Sequence, residues 1–112
     1  MNNIKIKLKT SELTGAALDW AVAKCELGEA INEVDDPHFY STDWAQGGPL
    51  IELERIATWF ERYEDEDAGL PCWFAAKYGE REYPGPTPLI AAMRCYVASV
   101  LGDEVEVPDE IL

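Results

Sequence analysis

The sequence predicts an α+β fold: a single compact domain in which a few-stranded sheet packs against two main helices. Three observations carry that prediction. A chain of 112 residues, 47% hydrophobic and 11% aromatic, holds enough apolar side chain for one core and is too short for two. Ile4, Ile6 and Leu8 alternate with Lys5, Lys7 and Lys9, the period of a strand with one face buried and one in water. Leu89, Ala92, Met93, Tyr96, Val97 and Val100 recur at helical spacing, with Thr87 as an apt N-cap, Pro88 as first helical residue and Gly102 as the stop.

The other elements follow in chain order. Lysines on the first strand discourage pairing at an open edge. Thr10 or Ser11 can cap the next helix, with Glu12 in its first turn. Across residues 13–27, Leu13, Ala17, Trp20, Ala21 and Lys24 share a face that Leu18, Val22 and Cys25 broaden, and Gly28 suits the end. Residues 29–40 read as a connection, with a short extended piece at 31–34. Pro49 fits a first helical position, followed at helical spacing by Leu50, Leu53, Ala57 and Phe60; a strand over residues 50–56 is the alternative. Residues 61–69 form an acidic surface loop, 72–78 a strand turning at 79–82, and 103–112 an acidic, extended tail containing Pro108.

Charge and cysteine usage narrow the function classes. Twenty-two acidic residues against nine basic ones give a net charge of −13, which argues against direct nucleic-acid binding through phosphates. The excess acid either solubilises the surface or imitates nucleic acid toward a basic partner. Cys25, Cys72 and Cys95 are odd in number, widely spaced and without a C-x-x-C pair, so they read as small apolar residues in a reducing cytoplasm. With His38 as the one imidazole, no metal and no cofactor are expected. No leader is expected over residues 1–9, and no apolar run is long enough for a bilayer, so no membrane partner is expected.

Two segments, residues 41–51 and 85–94, combine glycine, proline, hydroxyl and aromatic side chains, and each leads into a helix. Glycine lets a ligand approach the backbone, proline rigidifies the loop, and a helix start presents unpaired N–H groups. The candidate ligand-binding residues are Thr42, Asp43, Trp44, Gln46, Gly47, Gly48, Gly85, Thr87 and Arg94. The Trp44 indole would stack on a planar ring, Thr42 and Gln46 would read its polar edge, and the backbone near Gly48 would approach a phosphate. The plainer alternative has Trp44 plugging the core while the glycines turn the chain. Arg94 suits bidentate phosphate recognition, with an ordinary salt bridge as its alternative. Residues 42–49 and 85–88 are expected to lie close together, within one subunit or across the interface of a homo-oligomer.

For catalysis the inventory is thin. His38 has no nucleophile in a known arrangement, Asp35, Asp36 and Asp43 read as solvated loop charges, and no Walker loop, G-x-S-x-G or H-E-x-x-H occurs.

Residues 10–24 (Thr10-Ser11-Glu12-Leu13-Thr14-Gly15 through Lys24), 41–51 and 85–97 together resemble a family of tailed-bacteriophage and prophage proteins labelled NinX-like. The resemblance covers the first helix, the central segment and the last helix. It implies a phage-encoded accessory protein acting in the bacterial cytoplasm and brings no catalytic residues with it. Joined to the two Gly/Pro segments, it leads to the expectation of a non-enzymatic protein that sequesters a small nucleotide-like molecule, such as a host defence signal or metabolite. The competing expectation is an acidic inhibitor or nucleic-acid mimic acting on a basic host or phage protein. A ligand sponge should show a concave, aromatic-lined pocket containing a cation, whereas a mimic should gather carboxylates on one exposed face.

Overall fold

The computed structural model describes residues 4–28, 31, 38–61 and 72–112. Most of the extended piece expected at 31–34 and of the acidic loop expected at 61–69 lies outside them. The elements run β1 (Lys5–Lys9), a 3-10 turn (Thr10–Glu12), α1 (Gly15–Leu27), α2 (Trp44–Leu53), β2 (Ile56–Glu61), β3 (Cys72–Lys77), β4 (Tyr83–Gly85), α3 (Pro88–Leu101), β5 (Glu104–Pro108) and a closing 3-10 turn (Asp109–Ile111). The α+β class holds, and the strands divide between a two-stranded sheet, β1-β5, and a three-stranded sheet, β2-β3-β4, all antiparallel.

α3 is the centre of the packing. Its Leu89, Ala91, Ala92, Met93, Cys95, Tyr96 and Val97 are buried, a wider arc than a one-sided stripe, because β3 and β4 pack on one side and α1 on another. Val100, counted in the expected stripe, is half exposed near the C-terminal end. Small residues set the spacing: a Cβ at Gly85 would stand 2.6 Å from the Ala91 nitrogen, so β4 approaches α3 only with glycine there. The ends of α3 are as expected. Thr87 Oγ1 accepts from the Ile90 N–H at 3.1 Å, Pro88 opens the helix, and Gly102 closes it at φ 91° with its N–H on the Ala98 carbonyl.

The N-cap position of α1 is Thr14, whose side chain makes no cap bond, while Thr10 and Ser11 form the preceding 3-10 turn. Thr10 is fully buried and its hydroxyl donates to the Gly102 carbonyl at 2.6 Å, tying the end of β1 to the end of α3. That long-range bond outweighs its capping tendency.

The acidic tail is extended, and it is also core structure. Glu104–Pro108 pairs with β1, setting Leu8 against Val105 and Ile6 against Val107, and both valines are buried. Glu104 and Glu106, alternating with them, face water opposite Lys9 and Lys7 of β1. On β1 itself only Leu8 is half-buried; Ile4 and Ile6 stay 50% and 39% exposed, so the inner face is covered at one end only.

The segment around Pro49 differs most from expectation. α2 begins five residues earlier in sequence than Pro49, at Trp44, so Gly47, Gly48 and Pro49 lie inside a helix. It ends at Leu53, and Ala57 and Phe60 belong to β2 instead of extending it. The physical reason is the strong cap at Asp43, whose Oδ1 accepts from the Ala45 N–H at 2.9 Å. Arg55, at φ 55°, reverses the chain into β2.

Candidate ligand-binding site

The turn before α2 is held from several directions. The amides of Thr42 and Asp43 donate to the Phe39 carbonyl at 3.1 and 2.8 Å, and Gln46 Oε1 accepts from the Phe39 N–H at 2.9 Å. Gln46 Nε2 reaches Asp43 Oδ2 at 3.4 Å. From α1, the buried carboxylate of Asp19 accepts the Ser41 N–H at 2.8 Å and fixes the turn to the core. His38 stacks on Tyr40 with ring centroids 5.7 Å apart.

These bonds change the roles open to the predicted residues. Asp43 and Gln46 serve the helix start, and the N–H groups of Ala45, Gln46 and Gly47 already have acceptors in Asp43. A phosphate at this helix start would meet the Asp43 carboxylate instead of vacant donors. Gly48 lies in the second helical turn, where a Cβ would stand 3.5 Å from Trp44 Cε3, so its backbone is beneath the indole. Thr87 is occupied as the cap of α3. Thr42 remains exposed.

Residues 42–49 reach the first turn of α3, which directly follows residues 85–88. α2 packs on α3, and a Cβ at Gly47 would stand 2.8 Å from Leu89 Cδ1 and 2.1 Å from the Tyr40 carbonyl oxygen. Gly47 is therefore a packing glycine. Trp44 is 55% exposed, so it does not plug the core.

Arg94 spends two of its donors on the backbone. Its Nε donates to the Leu13 carbonyl at 2.7 Å and its Nη1 to the Pro84 carbonyl at 2.8 Å. Burial pulls the guanidinium below its usual pKa, and nearby Glu12 partly offsets that. The fork bridges the entry to α1 and strand β4, joining segments far apart in sequence.

A concave site lies elsewhere, between α1 and the β1–β5 sheet. A groove of about 620 Å³ is walled by Trp20 and Lys24 of α1, Ile4 and Lys5 at the start of β1, Ile31, Leu101, and Glu104, Glu106 and Glu110 on the returning tail. Trp20 and Lys24 are both half-buried and stand one helical turn apart, so the indole and the ammonium face the same space. The sequence carried one signal for this site, the shared helical face of Trp20 and Lys24. Its other wall exists only because β5 returns to pair with β1. A smaller cavity of about 240 Å³ includes Lys9, Arg81 and Asp103. There Arg81 lies 3.5 Å from Asp103, which also accepts from the Tyr83 hydroxyl at 3.0 Å, so its arginine already has an anion.

On the far side of α1, Tyr96 donates to Glu26, and Glu54 pairs with Lys77 at 2.9 Å. Burial, then the carboxylates of Glu26 and Glu54, push the Cys25 thiol up to about 12. Burial and the bond to Glu26 also raise Tyr96. Both groups are held protonated at neutral pH, the opposite of an activated nucleophile. All three cysteines carry free thiols, with Cys95 buried and Cys25 and Cys72 half-buried. Among the described residues no cluster of His, Cys, Asp and Glu has the grouping of a metal site, and no helix is long and apolar enough to cross a membrane.

In comparisons with known proteins, no curated protein matches the chain. The family described as Bacteriophage P22, NinX matches residues 9–100, a span running from the end of β1 nearly to the end of α3, and the chain belongs to this phage NinX family.

Proposed function

We propose that this phage protein acts in the bacterial cytoplasm by retaining a small nucleotide-like molecule, without converting it, in the groove between α1 and the β1–β5 sheet. The observation that carries the reading is the pairing of Trp20 with Lys24 on one wall of a 620 Å³ concavity. A base stacked on an indole is worth about 1–3 kcal/mol, and an ammonium one turn away is within reach of a phosphate attached to that base. Glu106 and Glu110 offer acceptors to ribose hydroxyls or exocyclic amines. The same carboxylates oppose a densely charged polyphosphate, so the favoured ligand carries few phosphate charges. Sequestration of a host defence signal or metabolite is the corresponding use in infection.

Native mass spectrometry of the protein purified from infected cells tests this directly. A retained nucleotide, released unchanged by denaturation and lost in Trp20→Ala, is the expected result. Empty protein, or consumption of nucleotide at substoichiometric protein, refutes the proposal.

One observation favours a second reading. Glu104, Glu106, Asp109 and Glu110 collect along the groove's edge in a chain of net charge −13, which suits competition for a basic protein surface. That reading requires stoichiometric binding to a cationic protein, weakening steeply with salt and indifferent to Trp20→Ala.

A further inference from the structure

The groove between α1 and the β1–β5 sheet offers a ligand a one-sided set of hydrogen-bonding groups. Every side-chain acceptor that the described residues bring to it is a carboxylate, from Glu104, Glu106, Asp109 and Glu110, and all four are exposed. Its side-chain donors are the ammonium groups of Lys5 and Lys24 and the Trp20 indole N–H. Backbone donors are scarce at residues 108–109, because Pro108 has no N–H and the Asp109 N–H is spent on the Ile4 carbonyl at 3.0 Å. Glu104 lies 4.0 Å from the Lys7 ammonium, whereas Glu106 and Glu110 make no ion pair among the described residues.

We propose that the base held in this groove is guanine, carried by a nucleotide with a single phosphate; this rests on the reading above, that a nucleotide-like molecule is retained here. Stacking on Trp20 cannot choose the base, since every base has a π-face. The choice falls to the ring edge, and an ionised carboxylate there accepts hydrogen bonds and donates none. Of the RNA bases, guanine alone sets two donors side by side, N1–H and the N2 amine, to match the two oxygens of one carboxylate. Adenine and cytosine place a ring-nitrogen lone pair beside the amine, so the second oxygen meets another acceptor. Uracil flanks its one N–H with two carbonyls. Guanine O6 and N7 are acceptors that an ammonium reads, and Lys5 lines the groove to serve them while Lys24 holds the phosphate. Two ammonium groups stand against four carboxylates, so each further phosphate charge is opposed.

Isothermal titration calorimetry of the full chain with guanosine, inosine, adenosine and uridine monophosphates tests the proposal, with circular dichroism confirming that each variant is folded. Guanosine monophosphate is expected to bind tightest. Inosine monophosphate keeps N1–H and O6 but lacks the N2 amine, and is expected to bind about tenfold more weakly; adenosine and uridine monophosphates should bind about a hundredfold more weakly. At least one of Glu106→Gln and Glu110→Gln is expected to bring guanosine and adenosine monophosphates within about threefold of each other, because an amide suits the donor–acceptor edge of adenine. Trp20→Ala is expected to weaken all of them by a similar factor. Adenosine or uridine monophosphate bound as tightly as guanosine monophosphate, and dependent on Trp20, overturns the guanine assignment while nucleotide retention stands. A guanosine preference that neither glutamine variant moves overturns it as well. Binding of none overturns it too, and the mass-spectrometric search for a retained molecule then decides the wider reading separately.

Discussion

Adjacent glycines in α2 are expected to respond to alanine by very different amounts. At Gly47 the added Cβ would lie 2.1 Å from the Tyr40 carbonyl oxygen and 2.8 Å from Leu89 Cδ1. The nearest obstacle is backbone, in a turn fixed by the Ser41–Asp19 and Phe39–Gln46 bonds, so it cannot yield by a rotamer change. Overpacking of this kind costs about 1–3 kcal/mol and more where backbone must move, while the gain in helix propensity is about 1 kcal/mol. With the cost at or above the top of that range, because the obstacle is backbone, a net loss of about 2 kcal/mol or more follows. At Gly48 the new Cβ would lie 3.5 Å from Trp44 Cε3, an ordinary contact, but it also stands beside the Pro49 ring, which disfavours helical backbone for a preceding residue that carries a Cβ, so the propensity gain is offset and Gly48→Ala changes stability by less than about 1 kcal/mol. Urea denaturation followed by circular dichroism reads both. With a slope of about 1–3 kcal/mol/M, Gly47→Ala should lower the midpoint by about 1 M or more while Gly48→Ala moves it much less. Shifts of similar size for both variants would refute the close approach of α2 to Tyr40.

Arg94→Met is expected to destabilise by about 2–4 kcal/mol in the same assay, because it leaves the Leu13 and Pro84 carbonyls without their charged donor, while ligand retention in the folded fraction is unchanged. An unaltered melting curve with lost retention would restore Arg94 to the binding role. Trp44→Ala, at a side chain 55% exposed, should change stability by less than about 1 kcal/mol; a loss of about 3 kcal/mol would show the indole to be core after all. For Cys25 the folded thiol titrates at about 12 against an ordinary 9.0, so its contribution to stability is complete below pH 9.0 and falls as pH rises from there toward 12. Across that window the unfolded chain has lost the proton that the folded protein keeps. Cys25→Ala should therefore flatten the alkaline decline in urea midpoint, and an identical slope in both proteins would contradict the burial.

Local chemistry made much of this protein legible from its sequence. The Thr87-Pro88 start and Gly102 stop of α3, the Gly28 end of α1 and the alternation of β1 depend on residues within a few positions of one another, where capping, backbone freedom and side-chain period act without help from the rest of the fold. The resemblance of residues 10–24, 41–51 and 85–97 to phage proteins likewise pointed to the family that the match over residues 9–100 shows.

Long-range contact decided the rest. Residues 103–112 read only as an acidic, extended tail, yet Val105 and Val107 are buried once β5 finds β1 across nearly the whole chain. That same pairing builds the wall of the groove facing Trp20 and Lys24, which no local pattern could announce. Gly47 resembled a loop glycine and is a contact between helices; Arg94 resembled a phosphate fork and instead holds two backbone carbonyls. Residue type and spacing determine which backbone conformations are inexpensive and which side chains seek burial. Whether a donor, an indole or a glycine is left for a ligand depends on which distant segment reaches it first, because a buried polar group without a partner costs more than the local preference it overrides.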